Sequence, residues 1–340
     1  MAERRVVLER RGLAVLALPG SAAARGPAQA QTDATEAASW PSRPVTLVVA
    51  WGAGGSTDLL GRLLAARFAA AFGQPFVVQN RAGATGTIGH AEVARARPDG
   101  YTLLLGTSST YVMAPFLMDR LPYDNQAGFA PIRLLATTAL FLLVAPGAPW
   151  RDMAALIADA RARPPEAIAY ASAGPGSAAH LAAELWQSRA GVRLHHVSYR
   201  GGAQSAQAVI AGEVGLSFVE TAVVMPLVRD GALRPLAVTG AARQPQLPGL
   251  PTVAEAGLPG FEAATGFALF APAGTPAPIL RRLDAAARQA LAHPDVAARL
   301  EALAMNTTDV GPEAFAAYWS AEAAKWGALV RAYGIRAAPP

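Results

Sequence analysis

From Pro44 onward, compact apolar blocks alternate with amphipathic stretches. PVTLVVA (44–50) is short and rich in β-branched residues, which fits a strand buried on both faces. A glycine-rich turn follows. Over residues 58–72, Leu60, Leu64, Phe68 and Phe72 recur every four positions and predict a helix. Phe76-Val77-Val78 predicts a second strand, 87–96 a helix closed by Pro98-Asp99-Gly100, and YTLLLG (101–106) a third strand. This βαβαβ order implies a parallel sheet with helices on both faces.

A long apolar stretch, 134–145, ends at Pro146-Gly147 and opens a second series. Its predicted helices are 151–162, 177–189, 203–211 and 222–229, alternating with strands 167–171, 192–198, 214–219 and 233–239. A turn-rich passage, 244–260, leads into strand 265–271 and then three helices, opened by Thr275-Pro276, Asp295 and Gly311-Pro312. The last carries Phe315, Trp319, Trp326 and Val330 as one apolar stripe. If strand 265–271 pairs with 134–145, the terminal helices return to the first lobe and two strands cross between lobes as a double hinge. The expected architecture is therefore α/β, with two lobes on two parallel-type sheets. Residues 44–136 and 265–340 form the first lobe and 137–264 the second.

The N-terminus reads differently. Arg4, Arg5, Arg10 and Arg11 precede the apolar run GLAVLAL (12–18), and small residues lead to Ala28-Gln29-Ala30. That order predicts an export signal over 1–30, cleaved before Gln31, and a periplasmic destination. The run is too short to span a bilayer. The Arg10-Arg11 pair leaves the twin-arginine and general routes open. Residues 31–43 read as a loose leader.

Composition narrows the function classes. The 340 residues are 52% hydrophobic and 16% charged, enough for a substantial core and unlike a disordered chain. The absence of cysteine excludes disulfides, thiolate metal sites, iron–sulfur clusters and cysteine nucleophiles. The net charge of +5 is concentrated at the N-terminus; beyond residue 30, 24 basic residues face 22 acidic ones. No basic stripe remains for a phosphate backbone, so no nucleic-acid partner is expected.

The positions that could carry chemistry are turns. Trp51-Gly52-Ala53-Gly54-Gly55-Ser56-Thr57-Asp58 joins a strand to a helix, and such a turn offers free backbone N–H groups to an anion. The dinucleotide fingerprint fails, because Thr57 stands where its third glycine belongs and the second strand ends in Asn80-Arg81 rather than an acid. Arg81 is nevertheless a residue type that can face a 2′-phosphate, so an NADP-dependent reductase built on Gly52–Thr57 is the alternative reading. A second glycine run, 83–89, is separated from its strand by residues 79–82.

Three further turns stand at equivalent places: Thr107-Ser108-Ser109, the run Ser172–Ser177 with Gly174 and Gly176, and Tyr199-Arg200-Gly201-Gly202. All four lie at carboxyl ends of predicted parallel strands, where open α/β sheets bind ligands, and together they favour one shared cleft. No G-x-S-x-G or H-E-x-x-H occurs. His195 and His196 point to opposite faces of a strand and cannot share a metal. His180 is within reach of a ligand, though a structural contact is its plainer role; His90 and His293 read as surface helix residues. Glu220 either faces the cleft or caps helix 222–229, and the cap is favoured. No enzyme activity, metal or cofactor is expected.

These segments resemble the Bug solute-binding proteins, the periplasmic receptors of tripartite tricarboxylate transporters. The carrying stretches are WPSRPV (40–45), GGSTD (54–58), GQP (73–75), VQNRAGA (78–84), PDGYTLL (98–104), YRG (199–201), LAVT (236–239), PTVAEAG (251–257) and APAGTP (271–276). The resemblance implies a type II periplasmic-binding fold closing on a small carboxylate, held largely by backbone amides, hydroxyls and bridging water. Carried over by motif, the first lobe would contribute Trp51, Ala53, Gly54, Gly55, Ser56, Thr57, Asp58, Thr107 and Ser108. The second would contribute Ser172, Gly174, Gly176, Ser177, His180, Arg200, Gly201, Gly202 and Glu220. It further implies a monomer without cofactor that delivers its ligand to membrane permease subunits; a periplasmic sensor would keep the same fold. Trp51 stands where the family has Phe or Tyr, Gly52 where it has Pro, and Glu220 where it has Asp.

Overall fold

Strand β1 (Val45–Val49) lies between β2 (Phe76–Asn80) and β3 (Thr102–Thr107), parallel to both. All its residues but Thr46 are buried, which is why the segment is an unbroken apolar block. Helix α1 (Ser56–Phe72) seats Leu60, Leu64 and Phe68 on this sheet and ends at Gly73, whose left-handed backbone (φ 69°) returns its N–H to the Ala69 carbonyl. Helix α2 (Thr87–Ala94) follows β2. After β3 comes a π-helical turn, Ser109–Met113, continued by Ala114–Leu117. This computed structural model describes residues 39–333; the export segment 1–30 and leader residues 31–38 lie outside the described residues.

The centre of the molecule is β4 (Phe129–Val144), sixteen residues long and buried almost throughout. Beyond it come α3 (Met153–Ala162), β5 (Ala169–Ser172), α4 (Ala178–Ala190), β6 (His195–Ser198) and α5 (Gly202–Ile210). Then follow β7 (Leu216–Glu220), α6 (Thr221–Arg229), β8 (Arg234–Val238) and β9 (Ala264–Pro272). Helices α7 (Ala277–Ala292) and α8 (Pro294–Ala302), strand β10 (Met305–Val310) and helix α9 (Pro312–Tyr333) close the described chain.

The strands form one continuous sheet, in the order β2-β1-β3-β9-β4-β7-β5-β6, with β8 and β10 also paired to β4. The α/β expectation with strands crossing between lobes is met, and its two parallel-type sheets are joined here into one mixed sheet. The flanks are parallel, but β9 runs antiparallel to β3 and β4, and β4 runs antiparallel to β7, β8 and β10. β4 pairs with β9 from Phe129 to Ala139 and with β7 from Leu140 to Val144, so one strand serves both lobes.

Two features escaped the pattern. β10 (MNTTDV) is polar and mostly exposed, an added edge strand held partly by the Thr308 hydroxyl donating to the Leu134 carbonyl. The leader is not loose up to residue 43: Trp40 is buried edge-on against Phe72, and Arg282 donates to its carbonyl.

Two contacts bind the terminal helices. Arg133 on β4 is buried and donates to Asp284 of α7 (2.7 Å) and Asp309 of β10 (2.9 Å). On α9, Phe315, Trp319, Trp326 and Val330 are all buried, as the stripe predicts. The Trp319 indole donates to the Tyr111 carbonyl (2.7 Å), and Tyr111, Phe270, Phe315 and Trp319 pack as one aromatic group.

Candidate ligand-binding cleft

The turn after β1 is held open by its own polar residues. Asp58 accepts from the Gly54 N–H (3.0 Å), from Arg62 (3.0 Å) and from the Asn80 amide (3.0 Å), and Asn80 also donates to the Trp51 carbonyl. Burial pushes the Asp58 carboxyl up, but these hydrogen bonds outweigh it and hold the group below the usual carboxylate value. Asp58 and Gly54 therefore shape the turn, and neither lines the cavity in front of it. The glycine run 83–89 has a packing role: a Cβ on Gly86 would lie 2.5 Å from Thr110 Oγ1, and one on Gly89 2.9 Å from the Ala50 Cβ.

With that turn fixed, α1 begins at Gly55 with no side-chain cap. The N–H groups of its first turn are left to whatever occupies the space in front of them. Ser56 is 4% exposed and its hydroxyl has no hydrogen-bond partner. Across the cleft, α5 begins at Gly201, again with no side-chain cap. A cavity of about 310 Å³ lies between these two helix starts.

From the first lobe the cavity is lined by Trp51, Ala53, Gly55, Ser56, Thr57 and Thr107, among the predicted residues. From the second it is lined by Ser177, Arg200, Gly201, Gly202 and Glu220. The Trp51 indole donates to Thr107 Oγ1 (2.9 Å). Arg200 is exposed and pairs with no acid among the described residues. Glu220 sits at the N-cap position of α6, but its side chain makes no cap bond, so the favoured capping role is corrected. Burial raises its carboxyl above the usual value.

The start of α4 differs from the other two. The Ala178 N–H is taken by Ser109 Oγ (3.0 Å), the His180 N–H by Ser177 Oγ (3.2 Å), and the Gly176 N–H by His180 Nδ1 (3.1 Å). The Ser172–Ser177 turn was expected to offer an anion site. Its amides are instead spent within the protein, partly across the cleft. Ser172, Gly174, Gly176 and His180 stand behind the cavity wall. Ser172 shares a 2.7 Å hydrogen bond with His196, whose ring lies 4.5 Å from that of His180. Burial drives both imidazoles down to about 4. Ser108 is likewise structural, accepting from the Gly266 N–H of β9 (3.0 Å).

A second contact also joins the lobes beside the cavity. The Thr85 hydroxyl donates to the Pro175 carbonyl, and Thr110 donates to the Thr85 carbonyl (2.7 Å). Thr85 holds a left-handed backbone, φ 57°. Two histidine expectations change. His90 is fully buried, bonded to the Gly86 carbonyl (3.0 Å) and stacked on Tyr123, and burial lowers it to about 4. His293 caps α8 by accepting from the Asp295 N–H.

The carry-over omitted Gly52, Ala82, Ser109, Ala173, Ala203 and Gln204, all of which line the cavity. Gly52, Ser109 and Ala173 lie inside the predicted turns, so their place was readable. Ala82 reaches the cavity from the loop after β2, and Ala203 and Gln204 from the first turn of α5, just beyond the predicted Tyr199–Gly202 turn. Among the described residues there is no group of acids and histidines fit to hold a metal, and no helix is long and apolar enough to cross a membrane.

Comparison with known proteins gives a consistent result. The profile of the tripartite tricarboxylate transporter family receptor matches residues 60–335. Protein BugT of Bordetella pertussis is 35% identical over 298 residues, covering 87% of this chain and 91% of BugT. The structure of R. palustris Rpa4515 with adipate is 36% identical, with a TM-score of 0.85, covering 87% of this chain and 99% of that one. MatC from Rhodopseudomonas palustris with bound malate is 33% identical, with a TM-score of 0.81, covering 86% and 100%.

Proposed function

This chain belongs to the receptor family of the tripartite tricarboxylate transporters, and on that premise we propose that it captures a small organic carboxylate in the cleft and delivers it to membrane permease subunits. The family and its solved members are periplasmic solute-binding proteins rather than enzymes, which removes the reductase alternative. The observation that carries the ligand class is the pair of uncapped helix starts facing one cavity. Each supplies roughly half a positive charge from the helix dipole. The hydroxyls of Ser56, Thr57 and Thr107 and the unpaired Arg200 add donors around the same space.

Such a site holds an anion with fixed dipoles. Most donors are backbone, so their positions cost little to organise when ligand enters. Ligand contacts from both lobes favour the closed arrangement by their differential affinity for it. The protein acts as a monomer in the periplasm, exported by the Arg-rich segment 1–30. The cognate permease and a signalling partner remain alternative recipients of the liganded form.

A thermal-shift panel of mono-, di- and tricarboxylates, with NADP as control, tests the reading. A carboxylate at 100 times its dissociation constant adds about 2.7 kcal/mol and raises the midpoint by several degrees. A shift with NADP and with no carboxylate overturns it.

A further inference from the structure

Glu220 is the acid among the residues that line the cavity, and no cation among the described residues pairs with it. It ends β7, and its Oε2 lies 3.2 Å from the point where a Cβ on Gly202 would stand. The bare backbone of Gly202 thus gives the carboxyl its place beside the start of α5. Arg200 lines the same cavity, yet no ion pair joins it to Glu220. The Thr265 hydroxyl and the backbone N–H of Glu220 itself are the protein donors beside this carboxyl. A carboxylate has about four lone-pair sites, so without a paired cation Glu220 keeps acceptor capacity toward the partly desolvated cavity that an incoming donor can satisfy. A plain carboxylate cannot supply one; placed there, it would add like-charge repulsion.

We propose, resting on the carboxylate-receptor reading above, that the ligand carries an ammonium or hydroxyl group besides its carboxylate. The carboxylate lies at the start of α1, and the second group donates to Glu220 beside the start of α5. A polar site built to pair with a donor rejects the analogue that lacks it, because its own buried acceptor is then left unpaired. Glu220 is thereby the specificity-determining residue of the cleft.

The test is isothermal titration calorimetry at pH 7.5 on the full chain with length-matched ligands. These are succinate, malate and aspartate at four carbons, and adipate and 2-aminoadipate at six. The expected result is binding of a donor-bearing acid at least tenfold tighter than its unsubstituted match, with the amino-to-hydroxy ratio identifying the donor. In Glu220→Gln that preference falls to threefold or less. A thermal melt checks that this variant folds. Should it not, Glu220→Asp, which keeps the charge, is expected to retain the preference at reduced affinity. Equal or tighter binding of the unsubstituted acids, or a preference unchanged in Glu220→Gln, overturns this inference and leaves the receptor reading intact. Failure of every carboxylate to bind overturns the receptor reading itself.

Discussion

The indole N–H of Trp51 donates to the hydroxyl of Thr107 across 2.9 Å, within the wall of the cleft. The bond occupies the Thr107 oxygen as acceptor, so the hydroxyl proton is left to point at a ligand. Thr107→Val removes that donor and strands the indole N–H. It is expected to weaken ligand binding about tenfold or more, since an unsatisfied buried donor costs about 1–3 kcal/mol. Trp51→Phe keeps a ring but loses the bond, and about fivefold is expected from a single neutral hydrogen bond near 1 kcal/mol. Calorimetric titration reads both; wild-type affinity in the two variants would place the ligand elsewhere.

Gly55 offers a sharper cut. Its backbone, φ −79° and ψ 169°, is open to any residue, and its Cβ position meets only the Gly52 carbonyl, at 3.4 Å. Gly55→Arg should fold with a nearly unchanged melting midpoint and bind no carboxylate, because the side chain fills the space before the α1 amides. Retained micromolar affinity would refute the assignment of that helix start as the anion site.

The two acids on Arg133 should differ in weight. Asp284 makes the 2.7 Å bond and is largely buried, whereas Asp309 is 86% exposed. Asp284→Ala leaves a buried guanidinium half unpaired and is expected to cost about 3 kcal/mol of stability, in the range for a broken buried pair. Asp309→Ala should cost under about 1 kcal/mol, as exposed pairs do. Urea denaturation of the two variants measures the contrast.

Acid sensitivity follows from the buried imidazoles. His90, His180 and His196 are each held near 4 by burial, against an ordinary value near 6.5. Between those values the unfolded chain binds protons that the folded chain refuses, so stability rises with pH across that window. These groups contribute fully above about 6.5, and the contribution falls progressively as pH drops toward 4. Urea midpoints between pH 7.5 and 4.5 should show a slope approaching three protons. His90→Gln should remove about one of them. A flat profile would show that the imidazoles are solvated.

Much of the scaffold was legible because burial writes itself into local pattern. β1, β3 and β9 are apolar blocks since both their faces are covered, and the α9 stripe survives intact in the core. β10 was not legible, because an exposed edge strand needs no apolar alternation. At the cleft, glycine and serine turns marked loops that line the cavity. They did not say which side chains face inward. Asp58, Ser172 and His180 have the same chemistry as ligand-binding groups, yet they satisfy backbone amides of their own turns. His90 looked like a surface residue because its partners, Tyr123 and Phe129, come from a distant part of the chain.

The unbroken run of β4 through both lobes has a thermodynamic consequence. Its first part is hydrogen-bonded to β9, its last five residues to β7 and the last four of these also to β8. Neither lobe can melt without stripping partners from a strand that the other lobe is holding in register. Calorimetry should therefore record one cooperative transition, with equal van't Hoff and calorimetric enthalpies, although the chain is long enough for two separate folding units. Amide protons at Ala139 and Leu140, where the pairing changes partner, should exchange only through global unfolding.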